Sequence, residues 1–114
     1  MTFTLWHNPR CSKSRAALKL LEERGFRPEI RLYLKDPPTA GEIRALQGAL
    51  GLPLIEMMRT KEGIFRERGL SRESDDATLL QAIVEHPVLL ERPILTDGNR
   101  AVVGRPSERV LELV

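Results

Sequence analysis

Apolar residues in this chain change period several times, and each change marks an element. "TFTLW" is a short β-rich run that the turn-forming pair Asn8-Pro9 stops. In "SKSRAALKLLEERG", Ala17, Leu18, Leu20 and Leu21 recur at helical spacing with charges between them, and Gly25 supplies a C-terminal stop. "EIRLYL" then sets Ile30, Leu32 and Leu34 against Arg31 and Tyr33, the two-residue period of a strand. Strand, helix and strand in that order predict a βαβ unit with a parallel pair.

Pro37-Pro38 breaks this pattern, and Thr39 with Glu42 reads as a capping box opening a helix that ends near Gly51. A short helix is expected around Leu54 to Arg59. A further one is expected in "SDDATLLQAIVEHP", capped by Ser74 or Asp75 and stopped by Pro87. From Arg92 the β signal returns: "PILT" and "RAVVG" flank Asp97-Gly98-Asn99, residues suited to a hairpin turn. Pro106-Ser107 opens a last helix through "SERVLELV". The reading is one α/β domain over residues 1–114, with a helical insert at about 39–88 and no repeat or linker.

Composition supports a globular domain. The 114 residues are 41% hydrophobic and 30% charged, enough for a core without disulfides or metal. The net charge of +2 is too mild for a nucleic-acid or anionic-membrane binder, although the pI is about 9.0. "MTFTLWHNP" lacks the features of a secretory signal, and no segment approaches the ~20 apolar residues of a membrane span. One cysteine makes no internal disulfide, and with only His7 and His86 as helpers it makes no structural zinc site. A reducing cytoplasm is the expected setting.

That cysteine is the candidate for chemistry. Cys11 falls between the first strand and the first helix, where unpaired amides and the helix dipole favour an anion such as a thiolate. Arg10, Lys13 and Arg15 lie close in sequence, so the thiol is expected to ionise below the ordinary ~8.5. A lone cysteine is more often inert core, but Asn-Pro-Arg before it and Ser-Lys-Ser after it are not core neighbours. Ser14 stands where a C-x-x-C motif has its second cysteine, so an outside thiol must complete any redox cycle. Ser14 either donates a hydrogen bond to the thiolate or caps the helix. His7 either tunes the thiol or serves as a structural hydrogen-bonder. Asn8 orients the loop or simply forms its turn, and His86 reads as a helix C-terminal residue.

"HNPRCSKSR", "LYLKDPP", "MMRT", "ERPIL" and "GRPSE", in this order from His7 to Glu108, resemble the glutaredoxin-linked arsenate reductases. The resemblance implies a four-stranded mixed sheet of thioredoxin-like fold, with the helical insert between the βαβ unit and the hairpin–helix. It also implies a cis Arg92-Pro93 bond. In that family the cysteine thiolate, here Cys11, attacks arsenate to give a covalent adduct. Glutathione then adds as co-substrate, and glutaredoxin removes it once arsenic is trivalent. Three arginines hold the oxyanion, and the motifs put them on Arg59, Arg92 and Arg105. An arginine is by default a solvated surface charge. Here fixed guanidiniums would offset the repulsion between thiolate and oxyanion, and their planar donors fit a tetrahedral anion. The resemblance implies no metal and no bound cofactor, and the chain is expected to act as a monomer. Related reductases often continue into a longer C-terminal tail, expected to be dispensable because every matched motif precedes it.

Three other readings stay open. An Spx-type regulator would bind RNA polymerase, but "CSKS" closes no disulfide switch and such a role leaves the arginines unused. A glutathione-dependent thiol reductase would use the same chemistry on another substrate. A thiol-transfer protein would act on mixed disulfides and be insensitive to loss of Arg59 or Arg105.

Overall fold

A computed structural model describes residues 2–114. Its elements are β1 (Thr4–Trp6), α1 (Ser12–Glu23), β2 (Glu29–Arg31), α2 (Ala40–Leu50), α3 (Gly63–Glu67), α4 (Asp76–Glu85), β3 (Ile94–Thr96) and β4 (Ala101–Val103). Three 3-10 segments, Leu54–Met57, Pro87–Leu89 and Ser107–Glu112, complete the chain. The sheet order is β2-β1-β3-β4. β1 runs parallel to β2 and antiparallel to β3, which pairs antiparallel with β4. This is the four-stranded mixed sheet that the resemblance implied, with the helical stretch between β2 and β3.

Alternation along the strands divides the core in two. Leu5, Leu95 and Val102 pack with Ala17 and Leu21 of α1 and with Val110 and Leu113 near the C-terminus. The intervening positions Trp6 and Ile94 face the other way, onto Tyr33, Ile43, Met57, Ile83 and Leu89. Each fully buried Leu or Ile stabilises the fold by roughly 1.5–3 kcal/mol, so both layers are needed to hold such short strands.

Local signals set several boundaries. Thr39 and Glu42 form the reciprocal capping box, with Glu42 N–H donating to Thr39 Oγ1 at 3.1 Å and Thr39 N–H to Glu42 Oε1 at 3.0 Å. Gly51 closes α2 in the left-handed region at φ 68°. Asp75 and not Ser74 caps α4, accepting from Thr78 N–H at 2.8 Å. The Arg92-Pro93 peptide is cis, as expected, and so is Arg105-Pro106. Among the described residues no helix is long and apolar enough to cross a membrane, and no His/Cys/Asp/Glu group is arranged to hold a metal ion.

The structure corrects three element readings. β2 stops at Arg31, because Leu32 C=O accepts the N–H groups of Lys35 and Asp36 in a turn. That turn inverts the expected face: Tyr33 is buried, whereas Ile30 and Leu34 are 44% and 42% exposed. Arg31 tolerates partial burial because it pairs with Glu42 at 2.7 Å and lies over the Trp6 ring at 5.2 Å. The short helix after Pro53 ends at Met57, since Met58 leaves it to form an antiparallel bridge with Leu90. Gly63–Glu67 is helical without having been anticipated, pinned by the buried Phe65, and the last helix is 3-10 over Ser107–Glu112.

Candidate active site

Cys11 occupies the N-cap position of α1 in extended conformation, with φ −94° and ψ 122°. Its N–H donates to Asn8 C=O and its C=O accepts from Arg15 N–H, both at 3.0 Å. The side chain makes no capping hydrogen bond, so the sulfur is not committed to the helix start. The thiol is free and largely covered, the residue being 8% exposed.

The loop around it is locked by a fully buried hydroxyl. Ser14 Oγ accepts from Asn8 N–H at 3.0 Å and bonds His7 Nδ1 at 2.6 Å. The hydroxyl has one proton and two lone pairs, so it serves Asn8 N–H and His7 Nδ1 together whichever ring nitrogen of His7 carries the proton. Burial holds His7 below its ordinary value of 6.5, and the Arg15 charge pushes the same way. Asn8 Oδ1 accepts from Arg10 N–H at 3.0 Å, and Arg15 Nη1 reaches Pro9 C=O at 2.9 Å. His7 and Asn8 both hydrogen-bond within this loop. The partners of Ser14 are these two residues, not Cys11 and not the helix amides.

The arginines come from distant segments. Arg59 follows the Met58–Leu90 bridge, and its N–H donates to Leu89 C=O at 2.7 Å. Arg105 is held through Gly104, whose N–H donates to Pro93 C=O at 2.8 Å. A Cβ on Gly104 would stand 2.8 Å from Pro93 Cγ and 2.9 Å from Val110 Cγ1, so only glycine permits this approach. Ser107 Oγ then donates to Lys13 C=O at 3.0 Å, tying the segment after Arg105 to the start of α1.

Arg59 and Arg105 share a cleft of about 270 Å³ with Met58, Thr60, Lys61 and Glu91. Glu91 Oε1 lies 3.8 Å from Arg59 Nε and 3.6 Å from Arg105 Nη1, and Arg59 also pairs with Glu62. Arg92 is placed differently. Its Nε and Nη1 are buried without a hydrogen-bond partner among the described residues, two donors left for something else. His86, as expected, is the C-cap of α4.

Tyr33 is buried in the core layer of Trp6 and Ile94. Burial raises its phenol far above the ordinary value of 10, with Cys11, Glu91 and Glu62 adding to the rise and Arg59 opposing it. Tyr33 and Glu62 were not singled out from sequence: the strand period had put Tyr33 on the wrong face, and Glu62 carries no local signal. Glu91 lay inside "ERPIL" unremarked.

The sequence model of the ArsC family matches residues 6–113, nearly the whole chain. The chain belongs to the ArsC family. A protein named arsenate reductase in Neisseria meningitidis serogroup A is 49% identical over 108 residues, covering 93% of this chain and 92% of that protein. YfgD of Escherichia coli K12, an uncharacterized protein, is 46% identical over 112 residues, covering 96% and 94% of the two chains. A solved structure described as arsenate reductase from Vibrio cholerae superposes with a TM-score of 0.95 at 42% identity, covering 100% of this chain and 98% of that one. In ArsC terms, the thiol loop and the arginine cleft both fall inside the matched region.

Proposed function

We propose that this ArsC protein reduces arsenate to arsenite, using Cys11 as nucleophile and Arg59, Arg92 and Arg105 as the oxyanion clamp. The observation that carries the reading is the convergence of Arg59 and Arg105 on a single carboxylate in one cleft. Two guanidiniums that gather around one carboxylate can gather around an oxyanion. The unpartnered donors of Arg92 supply further hydrogen bonds of the kind that charge developing on oxygen requires.

The Cys11 thiolate attacks arsenic, and one oxygen leaves as water once protonated. Glutathione adds to the resulting thiol–arsenate adduct. Arsenic takes up two electrons as two thiols become one disulfide, and glutaredoxin resolves the glutathione–Cys11 link. An outside thiol is required because Ser14, in the resolving position, is a hydroxyl already used by His7 and Asn8. The reading places the protein in a reducing cytoplasm as a monomer, with glutathione as co-substrate and no bound cofactor.

The test is arsenate-dependent NADPH oxidation by the purified protein with glutathione, glutaredoxin and glutathione reductase, beside a Cys11→Ser control. Turnover that needs arsenate, glutaredoxin and Cys11 is the expected result. Folded protein with no arsenate-dependent turnover would overturn the substrate assignment.

A further inference from the structure

The arginine cleft already contains an anion of its own. Glu91 is fixed at the backbone, where its N–H donates to Met57 C=O at 3.0 Å, and its carboxylate reaches both guanidiniums. Both separations, 3.8 Å to Arg59 Nε and 3.6 Å to Arg105 Nη1, are ion-pair distances longer than a hydrogen bond. Glu91 thus neutralises charge in the cleft without saturating the donors. Arg59 has a second carboxylate in Glu62, whereas Glu91 is the only acidic partner of Arg105 among the described residues. The glutamate and Arg105 are 26% and 32% exposed, so their attraction is less screened than that of a surface pair.

We propose that Glu91 is an internal counter-ion occupying the seat between Arg59 and Arg105, which an incoming oxyanion must displace. The inference rests on the reading of this cleft as the oxyanion site. It sets a threshold that every entering anion must overcome. A monovalent anion that evicts one carboxylate exchanges like for like and gains little. A divalent tetrahedral anion brings twice the charge to the same two guanidiniums and offers more oxygens to their donors. Glu91 also keeps the two arginines from repelling one another when no substrate is bound. The swing needs only side-chain rotation, because the Glu91 backbone is held by Met57.

The test compares Cys11→Ser with Cys11→Ser/Glu91→Gln, so that no chemistry follows binding. Each is titrated calorimetrically at low salt with arsenate and with formate as a monovalent probe. Glutamine keeps the shape and removes the charge, and thermal unfolding verifies that both proteins are folded. The expected result is arsenate binding tightened about tenfold by loss of the competing charge, with formate gaining no more than arsenate, because both anions displace the same carboxylate and any repulsion it leaves behind weighs more on the divalent one. Equal arsenate binding by the two proteins would remove Glu91 from the seat and leave the oxyanion site standing. Weaker binding by the double variant would also overturn the proposal and make Glu91 a residue that positions the arginines. Failure of arsenate to bind either protein would overturn the oxyanion site itself, and the counter-ion with it. A second readout uses the protein with Cys11→Ser alone: the Glu91 carboxyl carbon resonance is expected to shift on saturation with arsenate, and no shift would overturn displacement.

Discussion

The loop that carries Cys11 is closed by bonds among His7, Asn8, Pro9, Arg10, Ser14 and Arg15, whereas the arginine cleft joins Arg59, Glu91 and Arg105. The first assembles from neighbours in sequence; the second exists only once the helical stretch and the hairpin have packed on the sheet. This division separates two tasks. A nucleophile needs a fixed backbone and a side chain not committed to other bonds, which a strand–helix junction supplies locally. An anion clamp needs positive charges brought close together against their repulsion, and only tertiary packing supplies the force.

Substitutions can break that comparison. The largest expected effect is that of Cys11→Ser, which should lower arsenate reduction by about a thousandfold or more, measured by coupled NADPH oxidation. Residual turnover near the parent rate would remove Cys11 as nucleophile. Arg59→Ala and Arg105→Ala should each lower kcat/KM by about a hundredfold while circular dichroism and melting behaviour stay close to the parent. Because the two arginines share Glu91, the double variant should lose less than the product of the single losses. Multiplicative losses would mean that the two act separately.

Stability measurements sharpen the same contrast. Gly104→Ala should cost about 1–3 kcal/mol in urea unfolding, because the added methyl meets Pro93 and Val110 at under 3 Å. Ser14→Ala should cost about 1–3 kcal/mol by leaving His7 Nδ1 and Asn8 N–H without their partner in a buried site. The two costs should add, since one substitution disturbs the cleft's support and the other the thiol loop. Strong coupling between them would show that loop and cleft fold as one unit.

The smallest effect concerns pH. His7 in the folded protein protonates below its ordinary value of 6.5, so the unfolded chain takes up the proton first as pH falls. Its stabilising contribution is present above about pH 6.5 and is lost as pH falls through the folded value. Urea midpoints measured between about pH 7.5 and about pH 5 should therefore fall less steeply in His7→Gln than in the parent. Identical slopes would show that the imidazole is not held neutral by the loop.

Legible in the sequence were the order of the strands and of the longer helices, the capping box at Thr39 and Glu42, the hairpin turn, and the place of Cys11 at a helix start. All of these rest on contacts within a few residues, where a cap, a turn or a period leaves a readable mark. Motif resemblance added Arg59, Arg92 and Arg105; Arg92 and Arg105 each also precede a proline beside the hairpin or the last helix start, whereas Arg59 rests mainly on the resemblance. Tertiary structure alone decided that β2 ends in a turn burying Tyr33, and that Ser14 is spent on His7 and Asn8. It alone decided that Glu91 lies between two of the three arginines while buried donors of Arg92 stay unpaired. Burial and charge pairing between distant segments leave no periodic trace in a chain. They are fixed only when the two core layers close on either side of the sheet.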